Sequence, residues 1–476
     1  MPWRPIWSKR VKKTEQMLAE LAEPEGKVVR HAADYRVDGE VGRFRFGTFD
    51  VENGDGQVLF SGTSLFPACQ GRQWYLTWGF KELALLTGAT QCSYRKTADS
   101  LNRHRRQPMG GTPINTLRDE TEAEGTAVLA FLDKESGRIL KSHGFSAEGT
   151  PLPKATIGNA AESPPATLSR EKVAEAWRKV EERMHEQQMS ASHIAQAAQQ
   201  QEAIYEDPAE TVNIHVDDVG VKEQKEQRGT EERSETAGTN PSPKEDVSMK
   251  AERKRPMVCN TVARIERVGK GFTLTGRSVL GVLRCVLAFL LQNDLLRQRW
   301  LFFTDGQRSL QNSIVTFFTW HRCMSLILDW FHVGKKCREE LSLALKGREV
   351  RNRHLKQIVR LLWYGLVSEA KEYLRNIPPE DIKSQPSVER LAGYFERNRP
   401  WLPCYALRAR LGLPNSSNPV ERSNNLVTAS RQKKNGMSWS EPGSQALTAL
   451  TAIVLNGHKH TWVRRRKIPF AFQQTS

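Results

Sequence analysis

Three carboxylates in this sequence stand where a fold would expose them for chemistry. Asp217 follows an alternating stretch at 211–216, and Asp305 follows the apolar run Trp300-Leu301-Phe302-Phe303. Glu421 comes three residues after Asn418, with Pro419 at the first helical position, which reads as the first turn of a helix. Three acids converging on one point repel each other unless cations neutralise them, and hard oxygen donors suit Mg²⁺ or Mn²⁺. Two such ions activate a water or a 3′ hydroxyl and stabilise the leaving oxygen of a phosphodiester. Each acid also has a plain structural reading. Asp217 or Asp218 starts a turn, Asp305-Gly306 is an ordinary turn dipeptide, and Asn418 with Glu421 resembles a capping box. Asp329 competes with Asp305, because it also ends an apolar run and has His332 three residues on.

The elements that must hold these acids are legible in the hydrophobic pattern. Between 208 and 335, strands are predicted at 211–216, 259–268, 272–274, 300–303 and 323–328, with helices at 278–296 and 308–318. A polar stretch at 222–255 reads as a flexible insert between the first two strands. The order β-β-β-α-β-α-β predicts an α/β core with a mixed five-stranded sheet, the RNase H-like pattern. Open sheets hold ligands beyond the carboxyl ends of their strands. In this order the strand before Asp305 returns beside the first strand, and the strand before Asp329 lies one place further out. A site shared with Asp217 therefore favours Asp305. Asp329 and His332 are left as supporting or DNA-contacting groups, or as a strand-to-helix cap.

Around this core the chain divides further. Residues 1–150 read as an α+β N-terminal domain, with a hairpin from 43–46 to 58–60 across the turn at 53–56. Helices follow at 72–86, at 93–103 with Ser93 as N-cap, and from 112 to a stop at Gly125. They form either a helix-turn-helix for binding DNA ends or a small bundle without DNA contact. Asp119, Glu120, Glu122 and Glu124 on the third helix would repel phosphate. Residues 151–207 read as a helical connector, with Val173, Ala176, Trp177, Val180 and Met184 on one stripe of a helix at 169–205. A helical insertion follows at 336–415, then two helices of the core at 416–457, then a basic tail at 458–476.

Charge supports a polyanionic partner. The 476 residues carry 71 Lys plus Arg against 54 Asp plus Glu, a net +17. From Glu421 onward there are nine Lys or Arg against two acids. Seven scattered cysteines without a CxxC pair argue against a zinc ribbon or a disulfide framework. Residues 1–13 contain no apolar run of a secretory signal. The run at 279–291 includes Arg284 and falls short of the roughly 20 residues a membrane span needs. A soluble, reduced, intracellular protein is expected.

Three stretches within about 208–457 resemble DDE transposases of bacterial insertion sequences, in the RNase H-like group related to Mutator-type enzymes. Val216-Asp217-Asp218-Val219-Gly220 is similar to that family's first acidic strand, with Asp218 where glycine is usual, so Asp218 stays an alternative ligand. Phe303-Thr304-Asp305-Gly306, followed by Cys323 and His332, is similar to the second. Asn418-Pro419-Val420-Glu421-Arg422-Ser423-Asn424-Asn425, with Gly436-Met437-Ser438-Trp439-Ser440 behind it, resembles the third-acid helix. The resemblance implies that Asp217, Asp305 and Glu421 hold two Mg²⁺ or Mn²⁺ ions. It implies hydrolysis at element ends followed by attack of the freed 3′ hydroxyl on target DNA. The implied partners are double-stranded DNA, both element ends and target, and further copies of the chain in a homodimer or larger synaptic assembly. No membrane partner is implied, and the place of action is the bacterial cytoplasm, at the nucleoid. Arg431, Lys433 and Lys434 lie in register with the basic stretch of the group, and Arg422, within the third-acid motif, is assigned to DNA with them. Arg464, Arg465, Arg466 and Lys467 are assigned to DNA phosphates by charge alone.

Overall fold

The computed structural model describes the chain apart from residues 1–12, 22, 41, 66–73, 91–92, 106–113, 154, 156–164, 225–256, 417–430, 434–436 and 473–476. It divides into two compact units, 1–124 with 457–467, and 125–456 with 468–476. Among the described residues no helix is long and apolar enough to cross a membrane.

The first unit is built on β1 (Val28–Gly39), β2 (Gly42–Glu52), β3 (Val58–Ser61) and β4 (Trp74–Leu76), in the order β3-β2-β1-β4. The predicted turn joins β2 to β3, but the arm that pairs with β3 is 50–52, while 43–46 pair with β1. That turn is held by the Asn53 side chain, which accepts from the backbone N–H of Asp55 at 3.1 Å and of Gln57 at 2.8 Å. The helix expected at 72–86 is instead β4 followed by α1 (Trp78–Thr90). Next, α2 (Tyr94–His104) starts as predicted at Ser93, whose Oγ accepts the Lys96 N–H at 3.1 Å. Buried Asp38 at the end of β1 is shared by Arg105 at 2.5 Å and Arg43 at 3.0 Å. The C-terminal helix Lys459–Arg465 belongs to this unit and packs on α1.

Gly125 does not stop the third helix. In α3 (Ile114–Ser142) it lies mid-helix, where an added Cβ would stand 2.1 Å from the Ala446 carbonyl oxygen. Close approach of two backbones, not a helix end, explains this glycine.

The second unit contains a mixed five-stranded sheet with helices, an α/β architecture. Its strands are β5 (Thr211–Lys222), β6 (Met257–Arg267), β7 (Lys270–Thr275), β8 (Arg299–Thr304) and β9 (Met324–Leu328), in the order β7-β6-β5-β8-β9. The first three pair antiparallel, and β8 and β9 join parallel to β5. Between them run α6 (Val279–Gln292), capped by Ser278, and α7 (Arg308–Phe317).

The predicted connector is two helices, α4 (Arg170–Glu186) and α5 (Ala191–Ala198), and its stripe is not solvated. Val173, Trp177, Val180 and Met184 share one core with Leu301 and Phe303 of β8 and with α8 (Trp330–Ala344), α9 (Arg348–Trp363), α10 (Val367–Arg375), α11 (Gln385–Asn398) and α12 (Tyr405–Arg410). Each such side chain taken out of water contributes roughly 1.5–3 kcal/mol. A buried ion pair, Arg408 to Glu206 at 2.5 Å, adds orientation. On the antiparallel part of the sheet, α6 and α13 (Glu441–Leu455) lie against β6 and β7.

Candidate active site

Strand register brings three acids to one level. β5 does not end before Asp217 as the sequence pattern predicts. It runs on through Asp217 opposite Val262 and Asp218 opposite Thr261. His215 lies opposite Phe303 on β8, so Asp217, two residues on, stands level with Asp305 just past the end of β8. Thr304 lies opposite Leu328, which sets Asp329 level with Asp305 in turn. Side chains alternate between faces along a strand. Asp217 therefore shares the face of His215 and Phe303, and Asp218 takes the other, where it accepts a hydrogen bond from the Thr261 hydroxyl at 2.5 Å. As the strand order requires, β8 neighbours β5 and β9 lies one place further out.

Asp329 has a different part. It is fully buried, and its Oδ1 caps α8 by accepting the His332 backbone N–H at 2.9 Å. The same oxygen faces His332 Nδ1 at 3.1 Å. Burial opposes the charged imidazole, but the Asp329 hydrogen bond and the carboxylates of Asp329, Asp217 and Asp305 outweigh it. The His332 pKa is raised above the ordinary histidine value. His215 behaves oppositely. Buried and stacked on Phe303 at 4.6 Å between centroids, it is pushed down to about 3 by desolvation, against the pull of Asp329. One imidazole thus stays neutral beneath Asp217, and the other leans toward cation beside the carboxylates. Asp305 Oδ1 accepts the Gln307 N–H at 2.8 Å, which fixes the turn after β8.

Glu421 and Arg422 lie outside the described residues, as does Lys434. The flanking segments are anchored. The Asn415 carbonyl accepts the Trp330 N–H at 3.0 Å, one residue after Asp329. Trp439 pairs with the end of β5, its N–H to Lys222 O at 2.9 Å and its carbonyl to the Gln224 N–H at 2.9 Å. Gln432 holds this segment together: its carbonyl accepts Trp439 Nε1 at 3.1 Å, and its side-chain amide donates to Thr448 Oγ1 at 3.0 Å.

Among the described residues no group of three or more His, Cys, Asp and Glu side chains is arranged to hold a metal ion. Asp217 and Asp305 nevertheless supply two hard-oxygen carboxylates at one level. A magnesium-type ion asks for one or two carboxylates completed by water and phosphate oxygens. The pair fits such an ion in the company of a phosphodiester.

The basic residues divide by surroundings. Arg431 is buried over the Trp439 ring at 5.2 Å, whereas Lys433 is exposed. In the first unit Arg464, Arg465 and Lys467 are exposed. Arg466 is turned onto Glu124, with Nη2 to Oε1 at 2.8 Å and Nη1 against Oε2. Trp462 Nε1 reaches the same carboxylate at 3.2 Å.

Sequence pattern did not reveal a groove of about 1110 Å³ beside α8 and α9. Arg338, Lys356 and Arg360 line it with Trp330 and Trp363, whose rings lie 4.9 Å apart. Cations interleaved with aromatic faces suit a nucleic-acid strand. Lys356, Arg360 and Trp363 all lie on α9, whereas Trp330 and Arg338 come from α8, and that meeting of two helices was not legible in the sequence. The sequence matches no known family model and no curated protein.

Proposed function

We propose that this chain is a DDE-type transposase with an RNase H-like core, cutting phosphodiesters at the ends of an insertion sequence and joining them to target DNA. The observation that carries the proposal is the level placement of Asp217, within β5, and Asp305, just past the carboxyl end of the adjoining parallel β8. Mg²⁺ or Mn²⁺ bound there would supply positive charge and an activated water or 3′ hydroxyl. Asp217 and Asp305 would hold the ions, and Glu421 is assigned as third carboxylate by its resemblance alone.

Asp329 and His332 support that site from behind. The cap fixes the first turn of α8, and the partly charged imidazole lowers the repulsion among the carboxylates before a cation arrives. The groove lined by Arg338, Lys356, Trp330 and Trp363 and the exposed Lys433 offer phosphate and base contacts. Double-stranded DNA is the partner proposed, with affinity falling steeply as salt rises. A homodimer or larger synaptic assembly, acting at the bacterial nucleoid, belongs to the same proposal.

Hydrolysis without joining requires the same carboxylate pair, so a nuclease of this fold is the second reading, and a non-catalytic DNA-binding protein the third. Purified protein is incubated with an end of its own element and a supercoiled target, in Mg²⁺ or EDTA, as wild type and Asp305→Asn. Joined product from wild type in Mg²⁺ only supports the transposase. Cut ends without joining select the nuclease. Tight DNA binding with neither product selects the binding protein. Joining that survives in the variant moves the second carboxylate to Asp329.

A further inference from the structure

Two buried tyrosines stand behind the strand ends, and only one is satisfied. Tyr405 donates its hydroxyl to the Leu328 carbonyl at 2.7 Å. Tyr394, on α11, is 6% exposed, and among the described residues its hydroxyl has no hydrogen-bond partner. A Cβ built on Gly306 would lie 2.8 Å from that oxygen and 2.9 Å from Leu328 Cδ1. The phenol oxygen therefore abuts the turn that follows Asp305. Gly306 sits at φ +89°, so the turn both needs glycine and leaves the hydroxyl room. Burial raises the Tyr394 pKa, and Cys337, Asp305 and Asp329 push the same way, so the group is a protonated donor at neutral pH. A buried hydroxyl without a partner is costly, and phenylalanine would fill the same space without that cost.

We infer that Tyr394 is a positioning residue for the reaction proposed above, its hydroxyl donating to the Asp305 carboxylate when that group turns toward a bound cation and phosphodiester. The inference rests on that function. In the structure one Asp305 oxygen accepts the Gln307 N–H, and a carboxylate has acceptor sites for more than one donor. A second donor, fixed in the wall of helices, restricts rotation of the carboxylate and aims its remaining lone pairs. The helical block would thus contribute to the geometry of the strand-end acids, through α11.

The test compares full-length wild type, Tyr394→Phe and Asp305→Asn, each bound to an end DNA. Mn²⁺ affinity is read from the electron paramagnetic resonance signal of free Mn²⁺, cleavage rate at saturating DNA, DNA affinity in Ca²⁺, and the thermal midpoint. Tyr394→Phe should weaken Mn²⁺ binding and slow cleavage by roughly tenfold or more, the loss of one hydrogen bond to a charged group. DNA affinity should not change, and the thermal midpoint should hold or rise. A Tyr394→Phe protein with wild-type Mn²⁺ affinity and cleavage, beside an Asp305→Asn protein that loses both, overturns the inference and leaves the proposed function standing. Wild type that neither cleaves nor binds Mn²⁺ more tightly than Asp305→Asn overturns both.

Discussion

Asp217 on β5 and Asp305, just past the end of the parallel β8, stand level, each two residues beyond the paired His215 and Phe303, and both act on His332. A shift of one residue along β5 reverses the face, which separates Asp217 from Asp218. Asp217→Asn should lower Mg²⁺-dependent cleavage roughly 100-fold or more, the scale of losing one preorganised electrostatic group. Asp218→Asn should leave the rate near wild type and cost at most about 1 kcal/mol through its bond to Thr261. Single-turnover cleavage by both variants checks this, and the opposite order of effects would exchange the two acids.

His332 makes stability depend on pH. Its folded pKa is raised above the unfolded value near ~6.5 by Asp329 and the neighbouring carboxylates. The stabilisation is therefore fully present below the unfolded pKa and is lost as pH rises through the folded one. In EDTA, urea unfolding of wild type should show stability falling relative to His332→Gln as pH is raised from 6 toward 9. Parallel curves for the two proteins would remove the charge coupling from the account.

The order of strands and helices in the second unit was legible because each element carries its own signal. The apolar run before Asp305 and the glycine after it announce a strand end without help from elsewhere. What stayed illegible depends on distant partners. The continuation of β5 through Asp217 is set by its ladder with β6. The placement of Tyr394 against Gly306 joins segments with no pattern in common. β1 was overlooked although its signal is local: Val29, Ala33, Tyr35 and Val37 alternate with Arg30, Asp34 and Arg36, and burial alternates with them.

Gly125 shows how a local rule is overridden, and it yields a prediction of sign. Alanine is favoured over glycine in a helix interior by about 1 kcal/mol. Here the new Cβ would meet the Ala446 carbonyl at 2.1 Å, and backbone on both sides must shift. Gly125→Ala should therefore destabilise, by about 1–3 kcal/mol as overpacking does. A denaturation midpoint at or above wild type would mean that α3 moves freely relative to α13.

The four basic residues at 464–467 should separate experimentally into two kinds. Glu124 is held below the usual carboxylate range: burial opposes its charge, but Arg466, Lys81 and the Trp462 N–H more than offset it. That stabilisation is present above the unfolded pKa and lost as pH falls through the depressed folded one. Arg466→Ala should destabilise the first unit by about 1–3 kcal/mol, below the range for a fully buried pair because the Arg466 side chain is 42% exposed. It should also make stability less sensitive to acid, and leave the salt dependence of DNA binding nearly unchanged. Alanine at Arg464, Arg465 and Lys467 should do the reverse. Stability holds, while the slope of log affinity against log salt falls by about 0.9 for each phosphate contact removed. Salt titrations of end-DNA binding, set beside pH-dependent unfolding of the same proteins, decide it. An Arg466→Ala protein of wild-type stability but reduced salt slope would return Arg466 to the DNA.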